Sequence, residues 1–323
     1  LNAQWLEVDI RSFRYATRDI SFDVYLKLSE TNYAHVFSRA TGLDYRRLSN
    51  YMRKGVEKLY VRLEDEPAYA TFVSRTADQV FNDPTTPTER KVAILLNMTE
   101  QAMTELFTHV QARDEQVEGA RQVVSNHTAL LSRDPQSLAL LLKLASHGDY
   151  LYYHSIATSV FSVIIARASG VFDRQAIEWI GLGGLLHDIG CARLPKSLLS
   201  SPDALTEAEW EQMRDHPRMG LSMLEGCRSI ADEVRYIVYQ HHERPEGGGY
   251  PNSLQSPAIY PPAMVVALAD AFGALISKRP FRQAYSPKGA IEVMRGEKGK
   301  FDPLYLDLLA SVFGRSGSSA PRP

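Results

Sequence analysis

The histidines of this chain, and the acids beside them, constrain it more than any other feature. Reading forward there is Leu185-Leu186-His187-Asp188-Ile189-Gly190, then His216-Pro217, then His241-His242-Glu243. A glycine-rich turn, Gly247-Gly248-Gly249-Tyr250-Pro251, follows, and after it Ala267-Leu268-Ala269-Asp270. Upstream lies His154, in Tyr152-Tyr153-His154-Ser155. A histidine on its own is ordinarily a satisfied core or surface residue. Five of the nine in the chain, with two aspartates in apolar or turn settings, point instead to a shared site.

The chemistry that wants such a set is a pair of transition metals. Imidazole nitrogens suit borderline ions such as iron, manganese, nickel and zinc, and a carboxylate can bridge two of them. Two ions roughly 3.5–4 Å apart share a water, lower its pKa, and clamp the attacking and leaving oxygens of an in-line displacement at phosphorus. An adjacent His-Asp pair at a helix end can give each residue to a different part of such a cluster.

The ordered set of His154, His187-Asp188, His216, His241-His242, Gly249-Tyr250-Pro251 and Asp270 resembles the HD-GYP family, a branch of the HD superfamily of metal-dependent phosphohydrolases. The resemblance runs over roughly residues 136–312, with Leu205-Thr206-Glu207-Ala208-Glu209-Trp210 and Phe301-Asp302-Pro303 as further landmarks. It implies His154, His187, Asp188, His216, His241, His242 and Asp270 as metal ligands, with Asp188 as the bridge. It implies two divalent transition metals, iron or manganese first and zinc or nickel otherwise. Adjacent residues on a helix point about 100° apart, so His241 and His242 can bind one ion only if the helix end unwinds. The alternative for His242 is a donor that orients a ligating group.

The substrate implied by the resemblance is cyclic di-GMP. The reaction is hydrolysis by a metal-bridging hydroxide to linear pGpG, and on to GMP. Arg279 and Arg282 match positions where the family keeps basic residues near the phosphates, and with Asp188 they form the catalytic set. A guanidinium grips phosphate well; an exposed pair of arginines at a helix end is the other reading. Gly247 to Gly249 give the backbone freedom for a sharp turn beside the metals. Gly249 and Tyr250 are expected to face substrate, the latter stacking on or hydrogen-bonding a base, unless its hydroxyl is structural. Glu243 is expected to orient a neighbour rather than bind metal.

This chain also departs from the family. Some members hold a third metal through a glutamate four residues before the first histidine; Tyr150 stands there, so two metals are expected. Cys191 stands where the family has lysine after Ile-Gly. Losing that cation would cost on the order of 2.7–4 kcal/mol of transition-state stabilisation, unless Arg193 compensates. Cys191 itself reads as a soft metal contact, a redox-sensitive thiol or, most simply, an inert small residue. Arg244-Pro245-Glu246 and Gly273 are further departures. A catalytically weak or inactive cyclic di-GMP receptor, or a phosphodiesterase for a related cyclic dinucleotide, are therefore the competing readings.

Composition excludes other classes. With 44% apolar and 23% charged residues and a net charge of -2, no field steers this chain of 323 residues to nucleic acid or an acidic membrane. Cys191 and Cys227 make no disulfide framework and fit a reducing compartment. No apolar run approaches the roughly 18–20 residues of a spanning helix. The first residues lack a basic-then-apolar signal pattern, so a cytoplasmic location is expected.

The fold expected is mostly α, an all-helical HD-type domain preceded by a small α/β domain and connecting helices. Residues 1–82 form the α/β part, serving regulation, packing, dimerisation or protein partners; alternation at 22–28 and 56–62 reads as strands, 33–39 as a hairpin partner, and 43–53 as a helix stopped by Gly55. Asn82-Asp83-Pro84-Thr85-Thr86-Pro87 marks the break, with Thr86 and Glu89 as a capping box. Residues 83–135 read as connecting helices and 136–313 as the catalytic domain. Helices are expected at 151–169, 174–188, 206 onward, 231–242 and 262–277, with a loop at 195–204 and a disordered tail at 314–323.

Overall fold

Periodicity of apolar residues sets the architecture, two in the first strands and close to four beyond them. The computed structural model describes residues 5–14, 16–134, 137–139, 150–199, 205–277 and 282–314. The expected tail and Arg279 lie outside these residues, as does most of the stretch before His154. The chain divides into two compact units, Leu1–Met98 and Thr99–Pro323.

In the first unit, strands β1 (Trp5–Asp9), β2 (Val24–Ser29), β3 (Asn32–Phe37) and β4 (Lys58–Arg62) form an antiparallel sheet in the order β1-β4-β2-β3. Helices α1 (Tyr45–Arg53) and α2 (Glu66–Asn82) complete it. Asp44 caps α1 through the Arg46 and Arg47 amides, and Gly55 follows its end with φ +79°. The core gathers Phe13, Phe22, Tyr69 and Phe72, with ring centroids 5.3–6.3 Å apart. The sequence reading omitted β1 and α2.

Helix α3 (Thr88–Thr108) starts in the first unit and ends in the second. The Thr86 hydroxyl, expected to cap it, donates to Asp83 Oδ2 at 2.7 Å. The second unit continues with α4 (Asp114–Arg133), α5 (Tyr150–Ser169), α6 (Arg174–Leu186), a 3₁₀ turn (Ile189–Arg193) and a single helical turn, α7 (Lys196–Leu199), within the expected loop. Then come α8 (Glu207–Arg214), α9 (His216–Leu224), α10 (Asp232–Gln240), α11 (Pro261–Ile276), α12 (Pro287–Gly296) and α13 (Pro303–Phe313). Thr206 and Glu209 form the expected capping box at α8. That helix stops at Arg214, and His216 opens a new one with Pro217 in its first turn. Among the described residues, no helix is long and apolar enough to cross a membrane.

Helices α5 and α11 are apolar on most sides, the mark of central helices. They meet through Phe161 and Phe272, joined by Phe313 of α13 at 5.0–5.3 Å. Helix α6 crosses α5 closely: a Cβ on Gly184 would stand 3.0 Å from Ser159 Cα. The Ser159 hydroxyl donates to Gly181 O. This packing brings the ends of α6 and α10 and the starts of α5 and α9 to the middle of α11.

Within α4, His127 is 0% exposed. Burial pushes its pKa down to about 3, against a small opposing effect of the Val123 carbonyl and with Arg167 adding to the depression. A depressed histidine contributes stability that is whole above its unfolded pKa of about 6.5 and is lost as pH falls toward the folded value. Between pH 7.5 and 5 this group should cost the protein about 2 kcal/mol. Urea unfolding of wild type and His127→Leu at both pH values checks it: the variant should lose that much less, and equal losses would exclude His127 as the cause.

Candidate metal centre

Each candidate ligand sits where its local sequence ends or starts a helix, Asp270 and His154 excepted. His187 is the residue at which α6 gives way to Asp188 and the 3₁₀ turn. A Cβ on Gly190 would overlap the His216 carbonyl oxygen, so only glycine lets the turn lie against the start of α9. Three imidazoles are fixed by the same device. His187 Nδ1 donates to Gly184 O at 2.8 Å, His216 Nδ1 to Met213 O at 2.7 Å and His241 Nδ1 to Val238 O at 2.8 Å. Each thereby turns Nε2 inward, and a carbonyl on one ring nitrogen sets the tautomer that leaves the other free to ligate.

These Nε2 atoms converge on Asp188. Its Oδ2 lies 3.2 Å from His187 Nε2, while Oδ1 lies 3.2 Å from His216 Nε2 and 3.8 Å from His241 Nε2. Asp270 Oδ1 is 2.9 Å from His154 Nε2 and 3.9 Å from His187 Nε2. The donors fall into two groups of metal-binding spacing, Asp188-His216-His241-His242 and His154-His187-Asp188, and Asp188 belongs to both. All seven ligands named from the sequence are thus gathered, with Asp270 joining through His154 and His187.

The His pair corrects one expectation. Helix α10 was expected to run through residue 242; it ends at Gln240, and His241 and His242 lie in the turn beyond. Past the helix end both imidazoles enter the same group, ring centroids 4.1 Å apart.

Charge in the site is strongly biased. Burial opposes the ionised forms of Asp188 and Asp270, yet the surrounding histidines hold both carboxyls below their usual range. Burial also opposes a charged His187, but Asp188, Asp270 and the Gly184 carbonyl outweigh it and lift its pKa to about 9. Burial keeps His241 and His242 neutral, the latter further depressed by His241 and His216. Two ionised carboxylates with His187 lifted toward its charged form, and His241 and His242 held neutral beside them, make a site that draws positive charge. His187 Nε2 is buried with no hydrogen-bond partner. That orphaned donor, the shared carboxylate and the carbonyl-fixed rings fit divalent transition metals.

A family model described as HD domain matches residues 138–304, about half the chain. The chain belongs to the HD domain family. The HD-GYP resemblance read from the sequence is borne out by its relatives. The chain is 34% identical to the cyclic di-GMP phosphodiesterase PA4108 of Pseudomonas aeruginosa, over 70% of this chain and 54% of that protein. It is 33% identical to the cyclic di-GMP phosphodiesterase response regulator RpfG of Xanthomonas campestris pv. campestris, over 63% and 56%. It is also 30% identical to the 3'3'-cGAMP-specific phosphodiesterase 1 of Vibrio cholerae, over 54% and 41%. The chain spans about half the length of the curated relatives it matches. Among solved structures, Bd1817, a HDG"Y"P protein from Bdellovibrio bacteriovorus, shares the fold with a TM-score of 0.73 at 20% identity, covering 96% of this chain and all of that one.

Within the HD domain the loop after the His pair is held by Glu243, which is 2% exposed. Its oxygens accept the Asn252 amide at 2.7 Å and the Leu254 amide at 2.8 Å. Gly249 fits beneath, because a Cβ there would stand 2.6 Å from Glu243 Cα. The Tyr250 ring lies 4.5 Å from that of His242. Burial, then the two aspartates, push its hydroxyl far up, so it remains a proton donor. Two positions went unnoticed in the sequence because neither has a spacing signature. Gln240 Oε1 accepts the Tyr260 amide at 2.7 Å, tying the end of α10 to the start of α11, and Arg218 Nη2 donates to Pro251 O at 3.0 Å.

The cationic positions are engaged elsewhere. Arg282 donates to Ala274 O and Leu275 O at 2.7 and 3.0 Å and lies 4.8 Å over the Tyr285 ring. Arg193 donates to Val110 O at 2.7 Å. Cys191 is 4% exposed among Leu194 and Leu198, and burial, then Asp188 and Asp270, push its thiol well up.

Glu243→Gln keeps the volume but removes the charge and turns one amide donor against a backbone N–H. Hydrogen bonds to a charged group contribute about 1.5–3 kcal/mol, so unfolding should be easier by that order. Limited proteolysis should open first at residues 249–254. A variant with wild-type unfolding and cleavage would show that the loop stands without this carboxylate.

Proposed function

We propose that the chain is a metal-dependent phosphodiesterase that opens cyclic di-GMP to linear pGpG, with cleavage on to GMP as a continuation of the same chemistry. The observation that carries this reading is Asp188, whose two oxygens face separate histidines at 3.2 Å each. A carboxylate between two donor sets is what a binuclear centre uses. Two ions, iron or manganese first and zinc or nickel otherwise, would be held by His154, His187 and Asp188 with Asp270, and by Asp188, His216, His241 and His242. When bound, the ions supply Lewis acidity and lower the pKa of water for attack at phosphorus.

The chain's own residues orient and select. The carbonyl-tied imidazoles hold their Nε2 atoms without a rotamer search. Tyr250, protonated at working pH, meets substrate as a donor or a stacking face. Arg279 and Arg282 would grip phosphate, Arg282 by leaving the α11 carbonyls it now holds. Similarity to proteins named cyclic di-GMP phosphodiesterases supports the substrate.

A slow enzyme, or a receptor that holds the dinucleotide without turnover, is the second reading. It is favoured by Cys191, a buried neutral thiol at the family's lysine position, and by Arg193, which is bound to Val110. A related dinucleotide as substrate is supported by the cGAMP-specific relative. Metal-loaded protein incubated separately with cyclic di-GMP and 3'3'-cGAMP should yield pGpG from the first, and faster. Chelation should stop the reaction and manganese or iron restore it. His187→Ala with Asp188→Ala should abolish both metal content and turnover; hydrolysis that persists in this double variant would exclude the site.

A further inference from the structure

The tip between α3 and α4 touches three segments that carry ligands, α5, the 3₁₀ turn after Asp188 and α9, and the residues that lead into a fourth, α10. Phe107, in the last turn of α3, packs on Cys191, Leu194 and Leu198 just after Asp188. Its ring lies 5.9 Å from that of Tyr152, two residues before His154 on α5. Val110 O accepts Arg193 Nη2 at 2.7 Å, at the end of the 3₁₀ turn. The Ala112 amide donates to Met223 O at 2.9 Å, on the helix that His216 opens. Ala112 O accepts Cys227 Sγ at 2.9 Å, and Asp114 Oδ1 accepts the Ser229 amide and hydroxyl at 2.8 Å. Residues 227–229 lead into α10, which ends at the His pair.

The tip is itself braced. Gln116 Oε1 accepts the Arg113 amide at 3.0 Å and its Nε2 donates to Glu105 O at 3.1 Å, so α3 and α4 are stapled together where they turn. We infer that this tip is a positioning element of the metal centre, setting the spacing between the His154-His187-Asp188 group and the Asp188-His216-His241-His242 group. The inference rests on the proposed metal-dependent reading of that site. Displacing the end of α3 would alter metal affinity first and catalysis through that.

Groups that orient metal ligands change affinity by about 10–100-fold when altered. Phe107→Ala should weaken manganese binding, measured by equilibrium dialysis with elemental analysis, by roughly 10-fold, with Phe107→Leu recovering most of it. Arg193→Ala, at an exposed position, should weaken binding in the same direction if Phe107→Ala fails to fold. Thr104→Ala, on the solvent side of α3, should bind as wild type. In hydrolysis of cyclic di-GMP at subsaturating metal, kcat should fall with KM held, and excess manganese should rescue it. Wild-type manganese affinity in folded Phe107→Ala, or in Arg193→Ala if the former does not fold, would overturn the inference. Wild type that binds manganese but hydrolyses no cyclic dinucleotide would instead overturn the phosphodiesterase reading, leaving the affinity comparison to decide the tip.

Discussion

A carboxylate that faces three imidazoles can stay ionised only if something positive is always near it. Removing a carboxylate from water costs several kcal/mol even after relaxation. Asp188 faces His187, lifted toward its charged form, on one oxygen, and His216 and His241 on the other. Those three histidines come from the ends of different helices, so the helices must converge to within a few ångströms at their tips. Small residues where α5 crosses α6, and the glycine beneath α9, make that convergence sterically open. Much of the second unit can be understood as a means of holding these ends together.

Two layers of hydrogen bonds then refine the cluster. The inner layer is main chain: carbonyls of Gly184, Met213 and Val238 fix three rings, each three residues back along its own chain. This is economical, because a ligand and its support come from one turn of the same segment. The outer layer joins segments: Gln240 ties α10 to α11, and Glu243 and Arg218 hold the loop that carries Tyr250. A buried glutamate accepting two backbone amides is well compensated, and it fixes the loop beside the candidate ligands.

The same structure explains how the chain tolerates its departures. A lysine at position 191 would have to carry its charge away from Leu194, Leu198 and Phe107, whereas a cysteine packs among them. Phe107 of the α3–α4 tip packs on this apolar side, while Asp188 and Asp270 act on the thiol electrostatically. Arg282 is likewise drawn to the carbonyls that end α11, where a cation is favoured by the helix dipole.

Helical class and the candidate donor set were legible because both are local properties. A 3.6-residue apolar repeat needs no knowledge of its partner, and the donor chemistry of His187, Asp188 or Asp270 is carried by the side chain itself. The strand Trp5–Asp9 escaped notice because five residues give little periodicity, and Gln240 because a glutamine's role depends wholly on what lies across from it. The sequence by itself determined which residues could bind metal and that helices would carry them. Only the tertiary structure decided that α10 stops at Gln240 and frees both His241 and His242, that Asp188 is shared between two groups, and that Arg282 turns to a helix end. Those outcomes depend on distances between segments far apart in the chain, which packing alone sets.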